Sequence, residues 1–244
     1  AVDVPGPAVT ALGEAAREAG AHVVIGVNER NADASGASMY NTVLYLDDHG
    51  ALLGKHRKLV PTMSERLVWA PGDGSTLQAF ETGIGRLSGL TCWENYMPLA
   101  RFALYAWGTQ IYSAPTWDSS PRWLESMNHI AFEGGCFVLG SCPVVHATDI
   151  PDRYAFKQAL VEARGEWVNA GNSVITSPSG VLAGPAVNKE ETLYADLDLT
   201  QLSMTKAMLD TAGHYARPDV FDLTVNRSPR PMLRTVFDPP DRQD

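Results

Sequence analysis

Apolar residues run along the first third of the chain in two rhythms. Val9, Leu12, Ala15 and Ala16 fall at helical spacing within residues 6–19, and Gly20 stands where a left-handed residue caps a helix. Residues 21–27 are β-branched and nearly continuous, which predicts a strand covered on both faces. After a polar loop over 31–38, the segments 40–46 and 51–54 flank the turn Asp47-Asp48-His49-Gly50 and read as a hairpin. An irregular stretch over 55–74 follows, and then 76–82 and 85–91 predict two further strands joined by a Gly-containing turn.

From there the pattern alternates. A helix is expected over 98–107, a strand over 109–113, a helix opened by Ser120 with Pro121 in its first turn, and a strand over 136–141. Residues 144–172 read as an excursion with helical spacing near 154–163. A strand and turn over 173–182, a last strand over 192–197 and a short helix over 199–209 complete the pattern. Hairpins mixed with strand-helix units imply an α/β fold, a mixed sheet covered by helices. No linker or repeat divides the chain, so residues 1–244 are expected to form a single domain, with the proline-rich 218–244 as an extended C-terminal segment draped over a surface or a partner.

Composition narrows the function classes. With 19 Lys+Arg against 28 Asp+Glu the net charge is −9, and no basic face is available for nucleic acid or an anionic membrane. No apolar run reaches the roughly 18 residues of a membrane span, and residues 1–5 lack a signal-peptide pattern; a cytoplasmic location is the expectation. The three cysteines leave at least one free thiol. Cys136 and Cys142, six apart on an extended segment, would be separated by about 20 Å, beyond disulfide reach. The His and Cys residues show no zinc-ligand spacing and there is no phosphate-binding glycine loop, so no metal and no cofactor is indicated.

Cys92 stands between an apolar strand and a helix in Thr91-Cys92-Trp93-Glu94-Asn95-Tyr96-Met97-Pro98, where a strand-to-helix turn exposes a side chain near amide donors that favour thiolate. A small buried core cysteine is the competing reading. Lys58 lies in the densest basic cluster, Lys55-His56-Arg57-Lys58, and Thr62-Met63-Ser64-Glu65 has capping-box spacing, which on its own makes Glu65 structural. Trp117, just past a strand end, is placed to line a pocket. Trp107 and Trp123 sit at core helical positions, and mid-helix His129 reads as a packed, hydrogen-bonded histidine.

Taken together, Arg57-Lys58-Leu59-Val60-Pro61-Thr62, Glu65-Arg66-Leu67-Val68-Trp69, Gly72-Asp73-Gly74-Ser75 and Cys92-Trp93-Glu94-Asn95 resemble the nitrilase (carbon-nitrogen hydrolase) superfamily, and within it the nitrilase branch. The order agrees, with seven residues from Lys58 to Glu65 and 34 from Lys58 to Cys92. Ala114-Pro115-Thr116-Trp117, the 129–134 helix segment, Gly171-Asn172-Ser173 and Gly213-His214-Tyr215 extend the match over roughly 20–225.

The resemblance implies a four-layer α-β-β-α sandwich, here without its N-terminal strand and helix, forming a homodimer or a larger helical homo-oligomer. It implies a cofactor-independent enzyme that converts a small organic nitrile to the carboxylic acid and ammonia. Cys92 would be the nucleophile, Lys58 the stabilising cation and Glu65 the partner of that lysine. Trp93, Trp117 and Glu94 would lie on the oxyanion and substrate-binding side. The family's general-base glutamate precedes the strand matching 21–27, upstream of Ala1, and Glu14 and Glu18 on the first helix are not assigned its role. The alternatives are a cyanide-degrading or amidase relative, or a truncated, non-catalytic assembly subunit.

Overall fold

The computed structural model describes residues 1–31 and 36–230; part of the 31–38 loop and the last part of the C-terminal segment lie outside the described residues. The chain opens with helix α1 (Pro7–Ala19), ended by Gly20 at φ 59°, whose N–H reaches back to Ala16 and Arg17. Strands β1 (Val23–Arg30), β2 (Met39–Leu46) and β3 (Leu52–Arg57) then form an antiparallel three-stranded sheet in that order. The second sheet holds β4 (Leu87–Gly89), β5 (Ile111–Ser113) and β6 (Phe137–Gly140) in parallel, then β8 (Trp167–Ser177) antiparallel to β6. Strands β7 (Val144–His146) and β9 (Gly180–Val187) both pair with β8. Helices α2 (Pro98–Ala106) and α3 (Pro121–Gly134) connect the parallel strands; α4 (Lys157–Arg164) and α5 (Gln201–Met208) are short.

Three apolar clusters separate four layers. Val9 and Ala16 of α1 pack on Leu44 and Leu46 of β2. The alternate residues Val43 and Tyr45 face the other way and meet Phe80 together with Leu87 and Ile111 of the second sheet. Tyr112, the neighbour of Ile111, points to the far face with Val138 and meets Leu104, Trp123, Met127 and Ile130 of α2 and α3. Period-two alternation in β2 and β5 thus sorts side chains into successive layers, giving the expected α-β-β-α order.

Four local expectations change. Residues 76–82 form no strand: a 3₁₀ turn occupies Gly74–Thr76, and only an isolated bridge joins Phe80 to Leu87. Residues 192–197 have no ladder partner among the described residues and carry no regular structure, although Leu197 still packs between the sheets. Strand β1 lies at its sheet's edge, so Gly26 and Asn28 are exposed while Val24 and Val23, Ile25 and Val27 are only partly covered. The 144–172 excursion carries its expected helix as α4, but its two ends are strands: β7 and the first half of β8 pair with each other. The C-terminal segment crosses the chain's own surface, with Arg227 bonded to Gln78 and the Arg230 N–H to Asp73. No described helix is long and apolar enough to cross a membrane.

Helix α1 rests directly on the β2–β3 turn. A Cβ on Gly13 would lie 2.4 Å from the Gly50 carbonyl oxygen, and Gly50 itself has φ 86°. Alanine is the better helix former by about 1 kcal/mol, yet backbone blocks the space. Gly13→Ala is expected to lower stability by about 1–3 kcal/mol, as overpacking does, in urea unfolding; a rise would show that helix propensity outweighs the contact.

Candidate active site

The parallel strands of the second sheet end together, where ligand sites of α/β sheets gather. Just past β4, Cys92 opens a 3₁₀ turn spanning Cys92–Tyr96 with a left-handed φ of 55°. Such a conformation costs a non-glycine residue about 1–3 kcal/mol and persists only where the surroundings impose it. Here the Cys92 N–H donates to Pro115 O at 2.8 Å, beyond the end of β5. The Cys92 carbonyl accepts from Asn95 Nδ2 at 2.8 Å, and the same amide donates to Leu90 O at 2.9 Å. Tyr112 Oη completes the set by donating to Asn95 Oδ1 at 2.8 Å. Cys136 and Cys142 are also buried, and burial pushes both thiols up to about 12, well away from a reactive thiolate.

Lys58 follows β3 immediately. Its N–H bonds Asn41 O and its carbonyl accepts from the Gly72 N–H, so the residue is fixed from both sides. The side chain has no exposed surface; its Nζ donates to Glu65 Oε2 at 2.6 Å and to Thr62 Oγ1 at 3.0 Å. An ammonium has three donors, so one is left for another acceptor. Glu65 Oε2 also accepts the Thr62 N–H at 2.7 Å. The capping role and the lysine-holding role, rivals in the sequence, are carried by one oxygen atom, and the Thr62 hydroxyl accepts from the lysine as well.

Glu94 departs from the substrate-facing position expected of it. Its side chain is fully covered, and its oxygens accept from the Leu59 N–H at 2.7 Å, the Thr91 N–H at 2.8 Å and His56 Nε2 at 3.0 Å. Every strong direction of the carboxylate is taken by the protein. Burial raises the Glu94 carboxyl, but the His56 charge and hydrogen bond and the two backbone N–H groups outweigh it and hold it below the usual glutamate range. Burial likewise works against the His56 cation, and Glu94 overrides it, holding the imidazole above its ordinary value.

Trp93 is half exposed, its indole donating to Asp118 Oδ2 at 2.8 Å beside a cavity of about 740 Å³ lined also by Tyr96, Ser120, Arg122 and Glu125. Its backbone N–H belongs to the first turn of the 3₁₀ helix, whose leading donors have no acceptor one turn back. Trp117 is half exposed at the same sheet end, with its carbonyl bonded by Asn169. Trp123 is buried and Trp107 partly so. His129 is exposed and, among the described residues, reaches Glu133 alone at 3.7 Å, so it is not a packed histidine. Glu14 and Glu18 are exposed on α1. His56, Asn95 and Tyr112 were given no role from the sequence; Thr91-x-x-Glu94 repeats the spacing of Thr62-x-x-Glu65 and was a usable signal for the turn.

The carbon-nitrogen hydrolase family model matches residues 1–207. Nitrilase 1 of Arabidopsis thaliana is 47% identical over 240 residues, 97% of this chain and 68% of that protein. The bifunctional nitrilase/nitrile hydratase NIT4A of Lupinus angustifolius is 47% identical over 233 residues, 94% of this chain and 66% of its own length. Among solved structures, Saccharomyces cerevisiae Nit3, a member of branch 10 of the nitrilase superfamily, superposes with a TM-score of 0.70 at 19% identity, covering 88% of this chain and 74% of that one.

The buried Glu94–His56 pair sets a pH window for stability. The lowered Glu94 contributes in full above the unfolded glutamate value of about 4.3 and is lost as pH falls through its folded value; the raised His56 contributes in full below about 6.5 and is lost as pH rises through its folded value. The difference in urea midpoint between wild type and His56→Leu should therefore be widest between about pH 4.5 and 6.5 and narrow on either side. A difference independent of pH would show that the pair is not charged.

Proposed function

This chain belongs to the carbon-nitrogen hydrolase family, and we propose that it is a nitrilase, hydrolysing a small organic nitrile to the carboxylic acid and ammonia. The observation that supports the reading best is a buried lysine ammonium, held by Glu65 with one donor unspent, on a segment tied to the turn that carries a strained, buried cysteine.

In this reading Cys92 Sγ attacks the nitrile carbon, the C–S bond forms, and the thiol proton ends on nitrogen to give a thioimidate. A first water adds to that carbon. Loss of ammonia from the tetrahedral adduct leaves a thioester, and a second water releases the acid and restores the thiol. Each turnover consumes two waters and frees one ammonia. Lys58 supplies fixed positive charge where the tetrahedral adducts develop negative charge, and the Trp93 N–H adds a donor. Such preorganised donors are each worth about 10² to 10³ in rate. Glu65 keeps Lys58 aimed through a charge-assisted hydrogen bond. Trp93 and Trp117, both half exposed, are the candidates for contact with the organic group.

The same adduct can expel the thiol in place of ammonia and yield the amide, the outcome named by the bifunctional relative from Lupinus. Acid and amide are therefore measured together. Assembly as a homodimer or larger homo-oligomer belongs to the reading too; exposed Leu99, Tyr215 and Phe221 along a groove of about 790 Å³ beside α2 are consistent with a covered face.

The test is ammonia release by the full-length protein from aromatic, arylaliphatic and aliphatic nitriles and from cyanide. Cys92→Ala is expected to abolish release, and Lys58→Met to lower kcat by about 10² to 10³ with the fold retained. Unchanged turnover in Cys92→Ala would sink the proposal, and turnover confined to cyanide or to amides would move the chain to another branch of the family.

A further inference from the structure

We propose that Glu94, with His56, is a positioning residue that sets the Lys58 ammonium in register with Cys92; the inference rests on the nitrilase reading above. Lys58 sits on the segment that leaves the three-stranded sheet, and Cys92 on the turn that leaves the second sheet. The contacts between those sheets are side chains of Val43, Tyr45, Phe80, Leu87 and Ile111, an apolar surface that fixes separation but carries no directional bond. One carboxylate bridges the gap. Its oxygens take the N–H of Leu59, the residue after Lys58, and the N–H of Thr91, the residue before Cys92. His56, two residues before Lys58, grips the same carboxylate through Nε2 while its Nδ1 lies 3.3 Å from Thr76 O. The backbone on each side of the lysine and the backbone entering the cysteine turn are thereby referred to one buried group. Because that group has no exposed surface, it acts on the reaction through Lys58 and Cys92 and does not touch the substrate.

Replacing Glu94 by Gln leaves one oxygen acceptor where the geometry needs two, so one of the two N–H groups loses its partner. His56→Leu removes the side-chain grip, while His56→Gln keeps a donor for the carboxylate. Leu46→Ala, beneath α1 and remote from the site, serves as the control for destabilisation alone.

Two readouts are taken on the full-length protein: steady-state nitrile hydrolysis, and the rate at which iodoacetamide alkylates the Cys92 peptide at one fixed pH, followed by mass spectrometry. Glu94→Gln and His56→Leu are expected to lower kcat by about 10²-fold, as misplacement of reacting groups does, with KM little changed. Both should slow alkylation of Cys92, His56→Gln should recover most of both losses, and Leu46→Ala should show neither. A kcat loss no larger than that of Leu46→Ala, or unaltered alkylation, overturns the inference. Should Glu94→Gln fail to fold, the contrast between His56→Leu and His56→Gln decides it, and equal activity in the two overturns it. A wild type that turns over no nitrile but shows the expected order of alkylation rates overturns the nitrilase reading alone.

Discussion

A carboxylate without exposed surface is tolerable only where donors surround it, and that requirement at Glu94 organises the site. Three donors from two parts of the chain meet its two oxygens, and two of the three are main-chain N–H groups. Backbone donors cannot be exchanged for other residues, so the path of the chain at Leu59 and at Thr91 is fixed together. The apolar contacts between the sheets supply far more total free energy, at about 25 cal/mol per Å² buried, but they tolerate sliding. Hydrogen bonds to a buried charge tolerate little, because leaving one unmade costs about 1–3 kcal/mol or more. Packing brings the sheets together, and the carboxylate determines where they stop.

The second buried charge follows the same logic with the sign reversed. Lys58 has no exposed side-chain surface, and Glu65, partly exposed at 24%, is its counterion. Removing one member of such a pair costs about 3–5 kcal/mol because the other is left uncompensated. A lysine fixed in this way has little rotamer freedom left to lose when an anionic adduct forms beside it. In the proposed reaction the cost of ordering that cation is met during folding rather than at each turnover.

What could be read from the sequence was local. The β2–β3 hairpin announced itself through its turn residues and the Cys92 turn through a strand running into Pro98, while the Lys58–Glu65 pairing came from the family resemblance alone. What was missed depended on distant partners. Residues 76–82 and 192–197 have the composition of strands but no ladder to join, because strand formation needs a neighbour that pattern alone does not supply. The family resemblance set Glu94 on the substrate-binding side. Its true partners, His56 and Leu59, are 38 and 35 residues away, and only the folded arrangement of two sheets brings them to it. His129 erred the other way: α3 turns that position outward, although its neighbour Ile130 is buried.

The strain at Cys92 has a support that reaches the outer helical layer. Asn95, fully buried, spends both amide protons on Leu90 O and Cys92 O and its oxygen on Tyr112. The Asn95 carbonyl in turn accepts from Arg101 Nη1 at 2.8 Å, and Arg101 is clamped by Glu133, which also takes the Tyr105 hydroxyl. A left-handed cysteine is thus held by a chain of bonds running from the turn through α2 to α3, each member saturated by the next. An aspartate at position 95 would set a carboxylate oxygen against two carbonyls, so the amide is demanded by hydrogen-bond chemistry and not by size. Trp93, whose indole donates to Asp118, and Trp117 lie outside that chain and stand half exposed. The proposed reacting groups are over-determined and the candidate recognition surface is lightly constrained, so the surface can change its preference for an organic group without disturbing the geometry that cleaves the carbon-nitrogen bond.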